Sequence, residues 1–237
     1  MKKIIFILVF LFFIFLCWLI FFSPLFQIKK FEITPEEKSI EVKKNLLKKT
    51  ILGFIDLTKN IIFFNQDQVK KSISPEIKKI EIKKDYFQRK VKIIFKKRKG
   101  VLTWCFLKDN EKKCFLADEE GIIFKESSYP IGLKEIVVND TSQRNLSLLE
   151  KVISPKDILS LKEIFDHFSS FEKKEFIYPD PEFKETTLIL ENKLKIFFDL
   201  RKEIDYQLEV LDKFLANKNI NELKYIDLRS LPKIYYQ

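Results

Sequence analysis

The hydropathy pattern divides the chain into one unbroken apolar run and a long remainder where polar and apolar positions alternate on short periods. Residues 4–22 read IIFILVFLFFIFLCWLIFF, nineteen positions without a charge. At about 1.5 Å per residue, nineteen helical residues reach roughly 28 Å, close to a bilayer's hydrocarbon thickness, so the run predicts a transmembrane helix. A cleaved signal peptide is the competing reading. Its apolar core is ordinarily about 7–15 residues long and leads to a small-residue cleavage site. Here the run passes into Ser23-Pro24-Leu25-Phe26 without such a site, which favours an uncleaved anchor. Phe15 and Leu16 before Cys17 are too bulky for a lipidation site, and Trp18 suits a membrane interface. Lys2-Lys3 on one side and Lys29-Lys30 on the other leave the orientation open.

Beyond the anchor, apolar residues at 26, 28, 31 and 33 predict a strand. Thr34-Pro35-Glu36-Glu37 is a helix-start signal, Ile40, Leu46, Leu47 and Ile51 share one helical side to about residue 52, and Gly53 ends the run. A short apolar stretch, 60–65, precedes a second helix at 66–73, closed by Ser74-Pro75. Two strands follow, one holding Ile77, Ile80 and Ile82 and the other Val91, Ile93 and Phe95. The order β-α-α-β-β predicts a small α+β module with its helices on one face of a three-stranded sheet.

The second half is dominated by strand patterns, at 101–107, 113–117, 122–125, 135–138, 176–178, 187–191, 194–198, 223–228 and 234–236. Two helices interrupt them. One covers 155–168 behind an N-cap at Ser154; the other covers 203–215, where Ile204, Leu208, Leu211, Phe214 and Leu215 form a core-facing stripe. The whole reads as α+β: a tail at 1–3, a transmembrane helix at 4–22, the β-α-α-β-β module at 26–99, and a mostly antiparallel β domain with two helices at 100–237.

Charge sharpens this division. The formal net charge is +10, but residues 27–99 carry 21 Lys/Arg against 9 Asp/Glu, whereas 100–237 carry 21 against 25. The basic face of 27–99 is expected to meet anionic lipid head groups, another protein, or both. Nucleic acid is not an expected partner, because the lysines are spread out and no recognition motif accompanies them.

Catalytic chemistry has little to build from. Four glycines (Gly53, Gly100, Gly121, Gly132) lie far apart, so no phosphate-binding loop is present, and the single histidine, His167, sits in a helical pattern as an ordinary surface or half-buried residue. Asp118-Glu119-Glu120 beside Gly121 reads as a solvated turn. A non-enzyme without metal, cofactor or small-molecule substrate is expected.

Lys108-Asp109-Asn110-Glu111 signals a tight hairpin turn. With Asp109-Asn110 as its two turn residues, Cys105 faces Cys114 and Trp104 faces Phe115 on the other side of the sheet. Directly opposed Cβ atoms lie about 4.5–5.5 Å apart, near enough for a disulfide in an oxidising compartment. The alternative is two independent buried small side chains.

Three stretches then resemble the bacterial cell-division family FtsQ/DivIB: Lys59-Asn60-Ile61-Ile62-Phe63-Phe64-Asn65; Trp104 followed by residues 114–124, CFLADEEGIIF; and Leu223-Lys224-Tyr225-Ile226-Asp227-Leu228-Arg229. The resemblance covers essentially the whole chain. It implies that 26–99 is a POTRA domain and 100–237 a β domain, on a single-pass protein of the cytoplasmic membrane. The N-terminus is then inside and the body extracytoplasmic, at the division septum. It implies a non-catalytic scaffold that binds FtsB/FtsL-type coiled-coil partners by strand addition to a C-terminal edge strand. The residues it points to are Tyr225, Ile226, Asp227, Leu228 and Arg229, with Ile234, Tyr235 and Tyr236 standing in for an aromatic that relatives often carry where Ser230 lies. Pro232 limits how far pairing continues. A POTRA-containing adaptor for envelope assembly or secretion is the alternative reading.

Overall fold

A computed structural model describes residues 2–34, 50–51, 55–56, 60–62, 64, 74–108, 111–128, 135–142, 144–172, 174–179, 182–216 and 218–237. The expected helix at 66–73, the expected first helix before Thr50, and the turn residues Asp109 and Asn110 lie outside them; Thr50 and Ile51, expected in the last turn of that first helix, are strand instead. The chain forms two compact units, Met1–Lys97 and Arg98–Gln237, so the division falls two residues before the 99/100 boundary read from the sequence.

The first unit opens with helix α1, Lys2–Phe22. Among the described residues, no helix is long and apolar enough to cross a membrane. The expected transmembrane helix is corrected accordingly. The side chains described in α1 run from Ile4 to Ile20. Their large apolar groups are exposed, Phe6 at 75% for example. Ser23 then turns the chain: its hydroxyl accepts from Leu25 N–H at 3.2 Å over the short turn Pro24–Phe26.

Strands β1 (Lys30–Thr34), β4 (Ile77–Asp85) and β5 (Lys90–Lys97) form one sheet in the order β1-β5-β4, with β1 parallel and β4 antiparallel to β5. Thr50–Ile51 and Ile55–Asp56 are a separate pair, β2 and β3. Alternation puts Ile80, Val91, Ile93 and Phe95 on the buried face with Ile61 and Phe64. The other face carries Lys79, Lys83, Lys92 and Lys96, because a strand's side chains point to opposite sides in turn.

The second unit is built on one nine-stranded sheet. Its strands are β6 (Leu102–Lys108), β7 (Glu111–Ala117), β8 (Ile123–Ser127), β9 (Ile136–Asp140), β10 (Lys174–Tyr178), β11 (Glu185–Leu190), β12 (Lys195–Asp199), β13 (Tyr225–Asp227) and β14 (Tyr235–Tyr236). They lie in the order β14-β13-β12-β11-β10-β9-β6-β7-β8. The sheet is mixed: β6 with β9, β9 with β10 and β12 with β13 are parallel pairings. The parallel steps bracket α2 (Pro155–His167) and α3 (Ile204–Leu215), which supply the long crossovers that parallel neighbours need. The described residues are thus mostly β with three α-helices, in place of the α+β class expected.

Register aligns the core into a single row. Trp104, Val138, Phe176, Leu188, Ile196 and Ile226 are successive partners across six adjacent strands, and all are 0% exposed. Ile158, Leu161 and Ile164 of α2 and Leu208 and Leu211 of α3 belong to the same core. Trp104 Nε1 donates to Asp140 Oδ2 at 3.1 Å and its ring meets Tyr178 edge-on at 5.4 Å. The opposite face carries Cys105 and Cys114, register partners joined by a disulfide and buried with Val137.

Candidate partner-docking edge

The short strand β14 closes one edge of the nine-stranded sheet, and β13 lies beside it. Two identical tripeptides shape this end: Asp199-Leu200-Arg201 leaves β12, and Asp227-Leu228-Arg229 leaves β13. In each, the aspartate reaches two residues forward. Asp199 Oδ1 accepts from Arg201 N–H at 3.0 Å and Nε at 2.8 Å, while Oδ2 accepts from Nη2 at 3.0 Å. Asp227 repeats this for Arg229, at 3.0, 2.9 and 2.6 Å. Each leucine between turns into the core, Leu200 at 1% and Leu228 at 0% exposure. Alternation therefore leaves the charged pairs on the face away from the helices.

Glu185 on β11 ties the two pairs together. Its Oε2 accepts from Arg229 Nη1 at 2.5 Å and its Oε1 lies 3.9 Å from Arg201 Nη2. The Arg229 guanidinium also stands 4.9 Å from the centre of the Phe197 ring, which meets the Tyr225 ring at 6.3 Å. Burial would raise the Asp227 carboxyl, but hydrogen bonds and charge from Arg229 outweigh it and hold its pKa below the usual value. The hydrogen bonds to Asp227 in turn raise Arg229, against its partial burial. Such a fork, with a hydrogen bond at each of its three nitrogens, is a rigid surface feature.

Beside it lies a groove of about 760 Å³ whose lining includes Lys193, Lys195, Phe197, Leu223, Lys224 and Tyr225. Its floor is the outer face of β12 and β13.

The hydrogen bonding of β14 determines what its free side offers. Gln237 N–H donates to Tyr225 O at 3.3 Å and Tyr225 N–H to Gln237 O at 3.4 Å. In an antiparallel ladder alternate residues turn their N–H and C=O to the same neighbour. Tyr236, between Tyr235 and Gln237, therefore turns both groups away from β13. Among the described residues no strand pairs with that side.

The sequence-derived residues separate accordingly. Tyr225, Asp227 and Arg229 lie on the outer face. Ile226 and Leu228 are core and face no partner. The strand expected to be the edge, 223–228, is interior, because the chain turns back through 228–234 and covers it with β14. Ile234 packs against the core, whereas Tyr235 and Tyr236 are 52% and 47% exposed. The Tyr236 ring leans on Phe214 at 4.9 Å, with Lys218 Nζ 5.0 Å away. Glu185, Phe197 and Arg201 were missed. The repeated Asp-Leu-Arg was the signal that could have found the last of these.

Other candidate groups have structural roles. His167 Nε2 pairs with Asp212 Oδ1 at 3.0 Å between α2 and α3. The 118–121 turn is solvated at Glu119 and Glu120, but Asp118 is fully buried, ion-paired with Arg98, and accepts Glu120 and Ile122 N–H, each at 3.0 Å.

This arrangement defines a class: a two-unit, β-rich chain whose second unit ends in an open two-residue sheet edge flanked by a fixed charged and aromatic face. No protein-family model matches the chain, and no curated protein matches it.

Proposed function

We propose that this protein is a non-catalytic scaffold of bacterial cell division, FtsQ/DivIB-like, that binds an FtsB/FtsL-type coiled-coil pair outside the cytoplasmic membrane at the septum. The observation that carries the reading is the outer side of β14, where no described strand pairs with the backbone donor and acceptor of Tyr236, and where Tyr235 and Tyr236 are exposed. A partner strand adds there by main-chain hydrogen bonds. The neighbouring Arg229, Phe197 and Tyr225 face supplies specificity. The Cys105–Cys114 bridge supports an oxidising compartment. The exposed apolar side chains of α1 form a surface larger than a water-facing helix sustains, and lipid is the occupant that fits it.

Depletion tests the biological part. Cells lacking the protein are expected to grow as filaments without septa. Normal septation with a secretion defect would instead identify an adaptor for envelope assembly.

A further inference from the structure

In the first unit, β4 and β5 are joined by the turn 86–89, whose tip is aromatic. Tyr86 is 57% exposed and Phe87 101% exposed. The turn is nevertheless fixed. Asp85 Oδ1 accepts Gln88 N–H at 2.9 Å, and Arg89 O accepts Lys29 N–H at 2.8 Å. Arg89 Nη1 donates to Pro24 O at 2.6 Å. Pro24 lies two residues past the last residue of α1, Phe22. The Arg89–Pro24 bond therefore ties the aromatic turn to the segment that follows α1. Leu25, 63% exposed, lies on the same connecting segment.

The surroundings of the tip are basic. Lys83, Lys84, Arg89 and Lys90 flank it, and Lys29 and Lys30 lie on the neighbouring chain, Lys30 in register with Lys90. The nearby acids are engaged: Glu32 pairs with Lys90 at 2.6 Å and Lys30 at 3.3 Å, and Asp85 caps the turn. An exposed aromatic pair ringed by lysine and arginine, held beside an exposed apolar helix, matches the chemistry of a bilayer interface. Aromatic rings collect at head-group depth and basic side chains meet lipid phosphates.

We propose that the 86–89 turn is a lipid-binding foot: Tyr86 and Phe87 enter the interfacial layer of an anionic bilayer beside α1, and Lys29, Lys83 and Arg89 face its phosphates. The foot fixes the angle at which the first unit meets the membrane. This inference rests on the reading that α1 lies in lipid, and the test separates the two.

The full chain with Cys17→Ser and Phe87→Cys is labelled at position 87 with an environment-sensitive fluorophore and added to phosphatidylcholine vesicles containing phosphatidylglycerol. A second variant carries the label through Lys96→Cys, six residues beyond Lys90 on β5. A third, Tyr86→Cys, keeps the Phe87 ring. Flotation reports whether α1 binds lipid. Brominated lipids are expected to quench labels at 86 and 87 at least about threefold more than the label at 96, as interfacial depth requires. Chains that float with all three labels equally unquenched would overturn the foot and leave α1 in lipid. Failure to float would overturn both.

Discussion

Arg229 grips Asp227, the residue two positions before it, with three hydrogen bonds of 2.6–3.0 Å, and extends a fourth to Glu185 on β11. The pair locks the chain as it leaves β13, just before the turn that brings β14 back. Arg229→Lys keeps the charge and loses the fork, and is expected to lower the stability of the second unit by about 1–2 kcal/mol. The equivalent Arg201→Lys, with 53% of the side chain exposed, is expected to cost less than about 1 kcal/mol. Urea unfolding of both variants checks the order.

Gly121 should be the least replaceable residue of its turn. Its φ is +79°, and a Cβ there would lie 1.9 Å from Ile153 O. Gly121→Ala is expected to cost about 2 kcal/mol or more, because both backbone strain and a main-chain clash oppose it. Thermal unfolding measures this.

Glu163 on α2 shares a hydrogen bond with Asp205 on α3. That bond, partial burial and the adjacent negative charge push its pKa up to about 7. The folded value is raised above the unfolded one, so the stabilisation is fully present below about pH 4.5 and is lost as pH rises through about 7. Solvent screening limits the effect to on the order of 1 kcal/mol. Stability measured in urea is expected to fall between pH 5 and pH 8, and Glu163→Gln to remove most of that slope.

The Cys105–Cys114 bridge closes a short loop, its cysteines nine residues apart. In the loop-entropy description such a link contributes about 2–3 kcal/mol. The double substitution Cys105→Ala, Cys114→Ala should lower stability by about that amount. Peptide mapping of the unreduced protein should recover the two cysteines in one linked fragment.

The local elements were largely legible in the sequence. Two-residue alternation located most strands of the second unit to within a few residues, and the hairpin arithmetic placed Cys105 opposite Cys114 and Trp104 opposite Phe115 because a two-residue turn fixes every later register partner. The sheet order was not legible. Parallel pairing of β12 with β13, and of β9 with both β6 and β10, joins strands distant in the chain, and nothing in their own residues encodes the neighbour. The edge was misplaced for the same reason. Tyr225-Ile226-Asp227 carries the pattern of a half-buried strand, and only the turn after Arg229 reveals that β14 covers it. Asp140 shows the limit for polar residues: its service to Trp104, Ser142 and Arg144 depends on contacts that no period encodes. The apolar run at the N-terminus was legible as a helix, although no helix among the described residues is long and apolar enough to cross a membrane.

The central claim is that a partner strand pairs with the open side of β14, and two substitutions at one position test it. Tyr236→Ala removes the ring and keeps the backbone N–H; Tyr236→Pro removes both. Neither touches the bonds between Tyr225 and Gln237. In co-purification of the full chain with an FtsB/FtsL-type pair, the alanine variant is expected to retain most capture and the proline variant to lose it at least about tenfold, as loss of an edge hydrogen bond and its ladder requires. Equal capture by the wild-type and proline chains would contradict strand addition at this edge.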